Sequence, residues 1–292
     1  RVAALEPRIR AIAIQHLDPL VGAGGFDFVA TFAGRLPMDV ISELLGVAEA
    51  DRGELRRWAD LLVHRPEGAK DVPPEGREAF GRIWSYFDAL LAEREKQPRN
   101  DLISALLDAE IEGKGLERAE ILSFCNLMIV AGNETTTKLL ANALYWLWRN
   151  PEQRQLLRED SRWIPAWVEE TLRYDNSTQL LARTVRRDHE LHGRKLAEGE
   201  RVLLLIGSAN RDERVFERPD CYDLRRNTSA MLSFGQGAHF CLGASLARLE
   251  ARVALEEVWK RFPGYRIAPE GAVRVHSVNV RGFAALPVEP GP

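Results

Sequence analysis

The sequence predicts a mainly α-helical fold with small β-sheets, and three observations carry that prediction. The first half has apolar residues at helical spacing, interrupted by Gly and Pro turns. The long apolar stretch from Glu117 to Arg149 reads as one helix crossing the middle of the molecule. Beyond residue 180, short runs bounded by turns take over and read as strands. With 292 residues, no internal repeat and no low-complexity linker, residues 1–292 are read as one domain.

Taken in order, Arg1 to Leu17 places Val2, Leu5, Ile9, Ile12 and Leu17 among charges and reads as a helix with no capping residue ahead of it. Helices are expected over Pro37 to Leu45, Glu49 to Val63, Glu75 to Glu95 and Asp101 to Ala109. Gly22 to Gly25, Pro73-Pro74, Pro98 and Gly113 to Gly115 break the chain between them. Pro151 opens the next helix, since proline suits a first turn, and residues 163–174 form another. Thr184-Val185, Glu190 to Gly193 and Arg201 to Leu205 read as strands. A Gly-rich loop at 233–243 leads into a helix over about 242–261, with Leu242, Leu246, Leu249, Val253 and Val258 as its apolar stripe. The tail from Tyr265 to Val288 is strand-like.

Composition excludes several function classes. Hydrophobic residues make up 45% and charged residues 28%, ordinary for a globular protein. A formal charge of -3 gives no electrostatic case for nucleic acid. No apolar run reaches the roughly 18 residues of a membrane span; Ile121 to Val130 comes nearest and contains Asn126. There is no secretory signal pattern. Cys125, Cys221 and Cys241 are odd in number and widely spaced, with no disulfide framework, so a cytoplasmic location is expected.

The most specific feature is Phe234-Gly235-Gln236-Gly237-Ala238-His239-Phe240-Cys241-Leu242-Gly243. Two glycines at spacing two let the backbone turn tightly and approach a flat ligand. Cys241 falls where a helix is expected to start, and unpaired N–H groups there favour a thiolate. A thiolate is a good iron ligand. His239 can reach an anionic group on the same ligand. The plain alternative is a glycine turn holding an inert buried cysteine; zinc is weaker, because no second ligand pair stands nearby. The loop resembles the haem-binding signature of the cytochrome P450 family, F-G-x-G-x-H-x-C-x-G, at every fixed position. That resemblance implies a cytochrome P450-like fold and haem b (iron protoporphyrin IX), with Cys241 as the metal ligand. Phe234, Gly235, Gly243 and His239 are implied as further cofactor-binding residues.

Ala131-Gly132-Asn133-Glu134-Thr135-Thr136 lies within the long helix, where glycine and successive threonines need a tertiary reason. Oxygen activation at iron supplies one, since protons must arrive before the O–O bond breaks and an acid beside a hydroxyl is a sensible relay. The segment is similar to the family's distal-helix motif, A-G-x-[D/E]-T-T. By that likeness Thr135 is the alcohol and Glu134 the acid, while Gly132 leaves room for oxygen beside the haem.

Glu170 and Arg173 stand at i and i+3 on one helix face. The spacing alone is weak, because Glu54/Arg57 and Glu159/Arg162 share it. Their position after the distal-helix motif resembles the family's E-x-x-R pair, with Arg226 as its third, structural member. Arg183 resembles the family's propionate-binding arginine, and a guanidinium suits a carboxylate bidentately. Met231 departs from the pattern, since many relatives carry histidine there.

The resemblance runs from Arg1 to about Leu286, but over only about three-quarters of the family's usual length. It implies a chain lacking the N-terminal portion and its propionate contacts, with weaker haem retention. The implied activity is a haem-thiolate monooxygenase that inserts one atom of O2 into an apolar small molecule. Electrons would come from a separate ferredoxin and ferredoxin reductase. Substrate contacts implied by the family's pattern are Ile129, Ala131, Ser177 to Leu181 (with Leu180 foremost) and Val278-Asn279. The rivals are a peroxide-using or isomerising haem enzyme, against which Glu134-Thr135 speaks, and a non-catalytic haem- or ligand-binding remnant.

Overall fold

The computed structural model describes residues 2–63, 65–69 and 71–291. Arg1, the first residue of the expected opening helix, lies outside them. The α-helices are α1 (Glu6–Leu17), α2 (Leu36–Leu45), α3 (Arg52–Val63), α4 (Pro74–Lys96), α5 (Leu102–Leu107), α6 (Arg118–Arg149), α7 (Pro151–Glu159), α8 (Ile164–Tyr174), α9 (Ile206–Ala209) and α10 (Ala244–Arg261). Local signals set several ends. Asp101 caps α5 by accepting from the Ser104 N–H at 2.9 Å. A capping box between Glu117 and Glu120 opens α6. Prolines occupy the first turns of α4 and α7, where no amide donor is needed.

Short antiparallel strands flank the helices. They are β1 (Phe26–Asp27), β2 (Glu110–Ile111), β3 (Lys114–Gly115), β4 (Leu181–Thr184), β5 (His189–Leu191), β6 (Arg194–Leu196), β7 (Arg201–Leu204), β8 (Arg266–Ile267), β9 (Val273–Arg274), β10 (Phe283–Ala285) and β11 (Pro287–Glu289). β11 lies between β1 and β8, so the tail is bound to an early strand. β4 pairs with β7 from Leu181↔Leu204 to Thr184↔Arg201. β9 pairs with β10, β2 with β3, and β5 with β6.

The long helix joins two apolar cores. Its first half gives Ile121, Leu122, Cys125 and Ile129 to a cluster with α2, α3, α4 and α5. Its second half gives Leu139, Leu140, Leu144 and Leu147 to a cluster with α1, α8, α10 and the tail strands. The expectation of a central helix therefore holds.

Three local readings need correction. The last helix starts at Ala244 with Gly243 as its N-cap, so Leu242 precedes it and is 76% exposed instead of packing in the stripe. The strand read over Arg201 to Leu205 ends at Leu204, and the short helix α9 follows at Ile206. A π-helical turn over Val29–Ala33, closed by Gly34 N–H donating to Val29 O at 3.0 Å, carries no periodicity signal and was not expected.

Arg173 ties these parts together. Its guanidinium pairs bidentately with Glu170, at 2.8 and 2.7 Å, with both side chains buried. It also donates to the carbonyls of Asn210, Pro219 and Cys221 at 2.9, 2.9 and 3.1 Å. Arg226 Nε reaches Glu170 Oε1 at 3.4 Å, and the Asp223 N–H donates to the same oxygen at 2.9 Å. Removing one member of a buried, satisfied pair strands the other charge, which costs about 3–5 kcal/mol. Arg173→Leu should lower unfolding stability by about that much, read by denaturant titration; a loss as small as that of Arg57→Leu on the surface would deny it this role.

Glu250 on α10 is a second buried carboxyl of opposite character. Its Oε2 has no hydrogen-bond partner, and burial pushes its pKa well above the carboxylate range. Above the ordinary carboxylate range, the folded chain retains a proton that the unfolded chain has lost, so this group makes stability fall as pH rises. Glu250→Gln should flatten that slope and raise the melting temperature at neutral pH; an unchanged slope would show that Glu250 is ionised in the fold.

Candidate active site

A cavity of about 530 Å³ lies between α6 and the Gly-rich loop. Cys241 and Thr135 both line it, brought together from elements far apart in the chain. The cysteine side is a bent loop. Gly235 and Gly237 adopt φ of 70° and 69°, a left-handed conformation that a side chain would strain. Phe234 O accepts the Cys241 N–H at 2.8 Å, and Cys241 O accepts the Ala244 N–H at 3.2 Å, joining the loop to α10. Cys241 thus sits two residues before the N-cap, with its thiol exposed.

The loop is anchored from behind. Asn210 Oδ1 accepts the Leu232 N–H at 2.7 Å, Asn210 Nδ2 donates to Ser233 Oγ at 2.8 Å, and Ser233 Oγ donates to Leu172 O at 2.6 Å. Since Arg173 holds Asn210 O, the buried Glu170–Arg173 pair reaches the cysteine loop through one residue. Arg248 lies 4.4 Å from the Phe234 ring centroid and is paired with Glu169 at 2.6 and 3.0 Å.

On the opposite side, Ala131, Thr135 and Leu139 face the cavity at successive four-residue steps, one helix face. Thr135 Oγ1 donates to Ala131 O at 2.8 Å, and Thr135 O accepts from Ser177 Oγ at 2.6 Å. Leu172, Leu181, Leu204 and Ile206 add apolar wall, and Asn176, Ser177 and Thr178 add a polar edge. Arg183 on β4 and His239 in the loop line the same space.

Several expected residues lie elsewhere. Glu134 is absent from the lining; it is buried and paired with Lys138 Nζ at 3.1 Å. Gly132 faces α2, where an added Cβ would meet Ile41 at 3.4 Å, so it allows close helix packing and does not open the cavity. Ile129 is fully buried in the core shared with α2 to α5, while Leu180 and Val278 are outside the lining and Val278 is 56% exposed. Gly243 is also outside the lining and serves as the N-cap of α10. Met231 packs on the core and borders a neighbouring opening with Phe234 and Arg248. The hydroxyl of Ser177 on the Thr135 carbonyl was not legible, because no motif marks a loop-to-helix contact over that separation.

The other cysteines lack such a setting. Burial pushes the Cys125 thiol up to about 12, as for an inert core residue. Cys221 is exposed, and its carbonyl serves Arg173 and Arg226.

The lining suits a flat, dianionic, iron-bearing ligand. It offers a thiol on one side, a hydroxyl opposite, apolar walls, and Arg183 and His239 for carboxylates. Fold and lining together fit a haem-binding protein. Comparison with known proteins leads to the same class. The family model for Cytochrome P450 matches residues 77–264. The chain is 53% identical over 289 residues to the putative cytochrome P450 123 of Mycobacterium tuberculosis, covering 99% of this chain and 72% of that protein. The crystal structure of CYP109E1 from Bacillus megaterium in complex with testosterone superposes with a TM-score of 0.94 at 34% identity, covering 100% of this chain and 77% of that one. CYP109Q5 from Chondromyces apiculatus gives a TM-score of 0.90 at 40% identity, covering 99% and 72%. The chain belongs to the cytochrome P450 family. It is accordingly an oxidoreductase of the monooxygenase class, with haem b as its cofactor.

Cys241→Ser should abolish the long-wavelength carbon monoxide band of the reduced, haem-loaded protein, whereas Cys125→Ser and Cys221→Ser should keep it. An unchanged band in the Cys241 variant would move the ligand elsewhere.

Proposed function

We propose that this chain hydroxylates an apolar small molecule, taking electrons from a separate ferredoxin and ferredoxin reductase in the cytoplasm. The observation that carries the reading is the single cavity shared by Cys241 and Thr135. Apolar side chains dominate the wall beside them, which favours a hydrophobic substrate. The related CYP109E1 was crystallised with testosterone, a ligand of that character. All three cysteines are free, as a reducing compartment would keep them. Among the described residues no helix is long and apolar enough to cross a membrane.

Bound haem supplies the reductive activation of dioxygen at iron. In this proposal the protein's side chains perform the remaining tasks. Cys241 would hold the iron through its sulfur, and the hydrogen bond from its N–H to Phe234 O fixes it in the loop. His239 and Arg183 hold the carboxylates. Leu139, Leu172, Leu181 and Ile206 exclude water and orient the substrate. Thr135 delivers a proton from its hydroxyl, turning away from Ala131 O to do so. Glu134 is the acid behind it, and it enters the cavity only by leaving Lys138. Overall, one oxygen atom enters a C–H bond and the other leaves as water, using two electrons and two protons.

The test is turnover with a ferredoxin, its reductase and reduced nicotinamide, after a spectral screen of steroids, fatty acids and aromatics for the substrate. Thr135→Ala should keep haem yet lower product per electron by roughly a hundredfold, the low end of a positioned proton donor's contribution, with hydrogen peroxide accounting for the difference. Equal product per electron in both proteins would remove Thr135 from the relay. Turnover with a flavodoxin alone would replace the ferredoxin assignment.

A further inference from the structure

A second cavity, of about 460 Å³, lies between α1, the start of α2 and the first turn of α3, and shares no lining residue with the cysteine cavity. Arg8, Arg35, Arg52 and Arg56 line it from these three helices, together with His16, Asp39 and Glu49. Its ion pairing is incomplete. Arg8 Nε donates to Glu43 Oε2 at 2.7 Å. Asp39 is shared by His16 at 2.7 Å and Arg52 Nη1 at 3.2 Å. Arg52 Nη2 reaches Glu43 only at 3.5 Å, and Arg52 Nε is buried with no acceptor. Arg35 donates to Ala30 O at 3.1 Å and Arg56 to Val29 O at 3.4 Å, both backbone carbonyls. Among the described residues neither has a carboxylate partner, and even with Glu43 counted the arginines lining the cavity outnumber the acids by one.

Glycine leaves room for the cradle. A Cβ on Gly34 would meet the Arg56 guanidinium, so glycine at the end of the π-helical turn admits that group beside it. Two guanidiniums without carboxylates in a single concavity call for an acceptor with several charged oxygens. Asp39 and Glu43 are already shared, which leaves Glu49 as the one other acid at the cavity against Arg35 and Arg56. Guanidinium forks match tetrahedral oxyanions by paired, charge-assisted hydrogen bonds. We infer that this cavity binds a phosphate-class oxyanion, with Arg35 and Arg56 as its main ligands. Such a ligand joins the start of α2 to α3 and stabilises the fold by linkage. It needs no haem, so it stands apart from the catalytic reading.

The test titrates the whole chain with inorganic phosphate at an ionic strength held constant by sodium chloride, followed by calorimetry and melting temperature. One saturable site and a rise in melting temperature that chloride does not reproduce are expected. Arg35→Ala with Arg56→Ala should weaken binding at least about tenfold, since charge-assisted contacts are lost. Glu49→Gln removes a competing acid and should tighten binding severalfold, which keeps the test valid even where the double variant folds poorly. A parallel titration with glycerol 3-phosphate assigns the source: comparable affinity supports a site for the phosphate of a larger molecule, and binding of inorganic phosphate alone supports a site for the free ion. Equal responses to phosphate and chloride, or unchanged affinity in the folded double variant, would overturn the inference.

Discussion

A fully buried guanidinium is costly unless its donors find acceptors, and the placement of Arg173 organises much of this fold. Its five N–H groups are spent on Glu170 and on three backbone carbonyls from Asn210 to Cys221. Those carbonyls belong to an irregular stretch with no ladder of its own, so the cation supplies the order that a strand would otherwise give. Asn210 passes that order on, because its carbonyl serves Arg173 while its side chain fixes Leu232 and Ser233. The cysteine loop is therefore positioned by a charge buried one helix away. This explains why an ion pair with little intrinsic claim to stability is worth its desolvation.

The opposite wall depends on helical phase. Residues advance by about 100° each, so positions four apart share a face. Ala131, Thr135 and Leu139 fall on the cavity side, with Thr136 at its edge. Glu134 and Lys138 fall together on a neighbouring side, where Gly282 leaves space for the lysine stem. Adjacent motif residues thus have separate environments, with the hydroxyl at the cavity and the carboxyl in a buried pair. Any proton route that uses both must include a rotation of Glu134, a conformational requirement imposed by backbone geometry.

What the sequence revealed and what it hid divide along the same physical line. Short-range chemistry was legible: prolines and acidic caps at helix starts, two glycines bracketing a turn, and a long apolar run for α6. The loop from Phe234 to Gly243 was legible because many fixed choices coincide within a few residues. Facing directions were not. Ile129 is apolar and near Ala131, yet it points into the core shared with α2 to α5, and Gly132 belongs to the motif but packs on Ile41. Leu242 resembles the start of an apolar stripe, but Gly243 delays the helix and leaves it exposed. Contacts between distant segments, such as Ser177 with Thr135 or the arginines around Gly34, have no local signature.

The same division separates chemistry from specificity. The rim of the cavity is held by a network independent of the cysteine loop. The carboxylate of Asp175, at the end of α8, accepts from Trp146 Nε1 at 2.7 Å, Arg281 at 2.8 Å and Arg274 at 3.2 Å. Asn142 on α6 donates to Asp175 O at 2.8 Å and accepts from Arg274 at 3.2 Å. The β9–β10 hairpin and the loop after α8 are thereby fastened to α6 by polar contacts on their outer side. Of the cavity-facing side chains Ser177, Thr178 and Leu181, the Ser177 hydroxyl joins the helix, and the rest of the fastening at these positions is by backbone. Substitutions facing the cavity can therefore reshape the space for substrate while Asp175 keeps the frame and Arg173 keeps the loop. A sequence reading built on the fixed frame identifies the reaction class, and the substrate is set by the positions the frame leaves free.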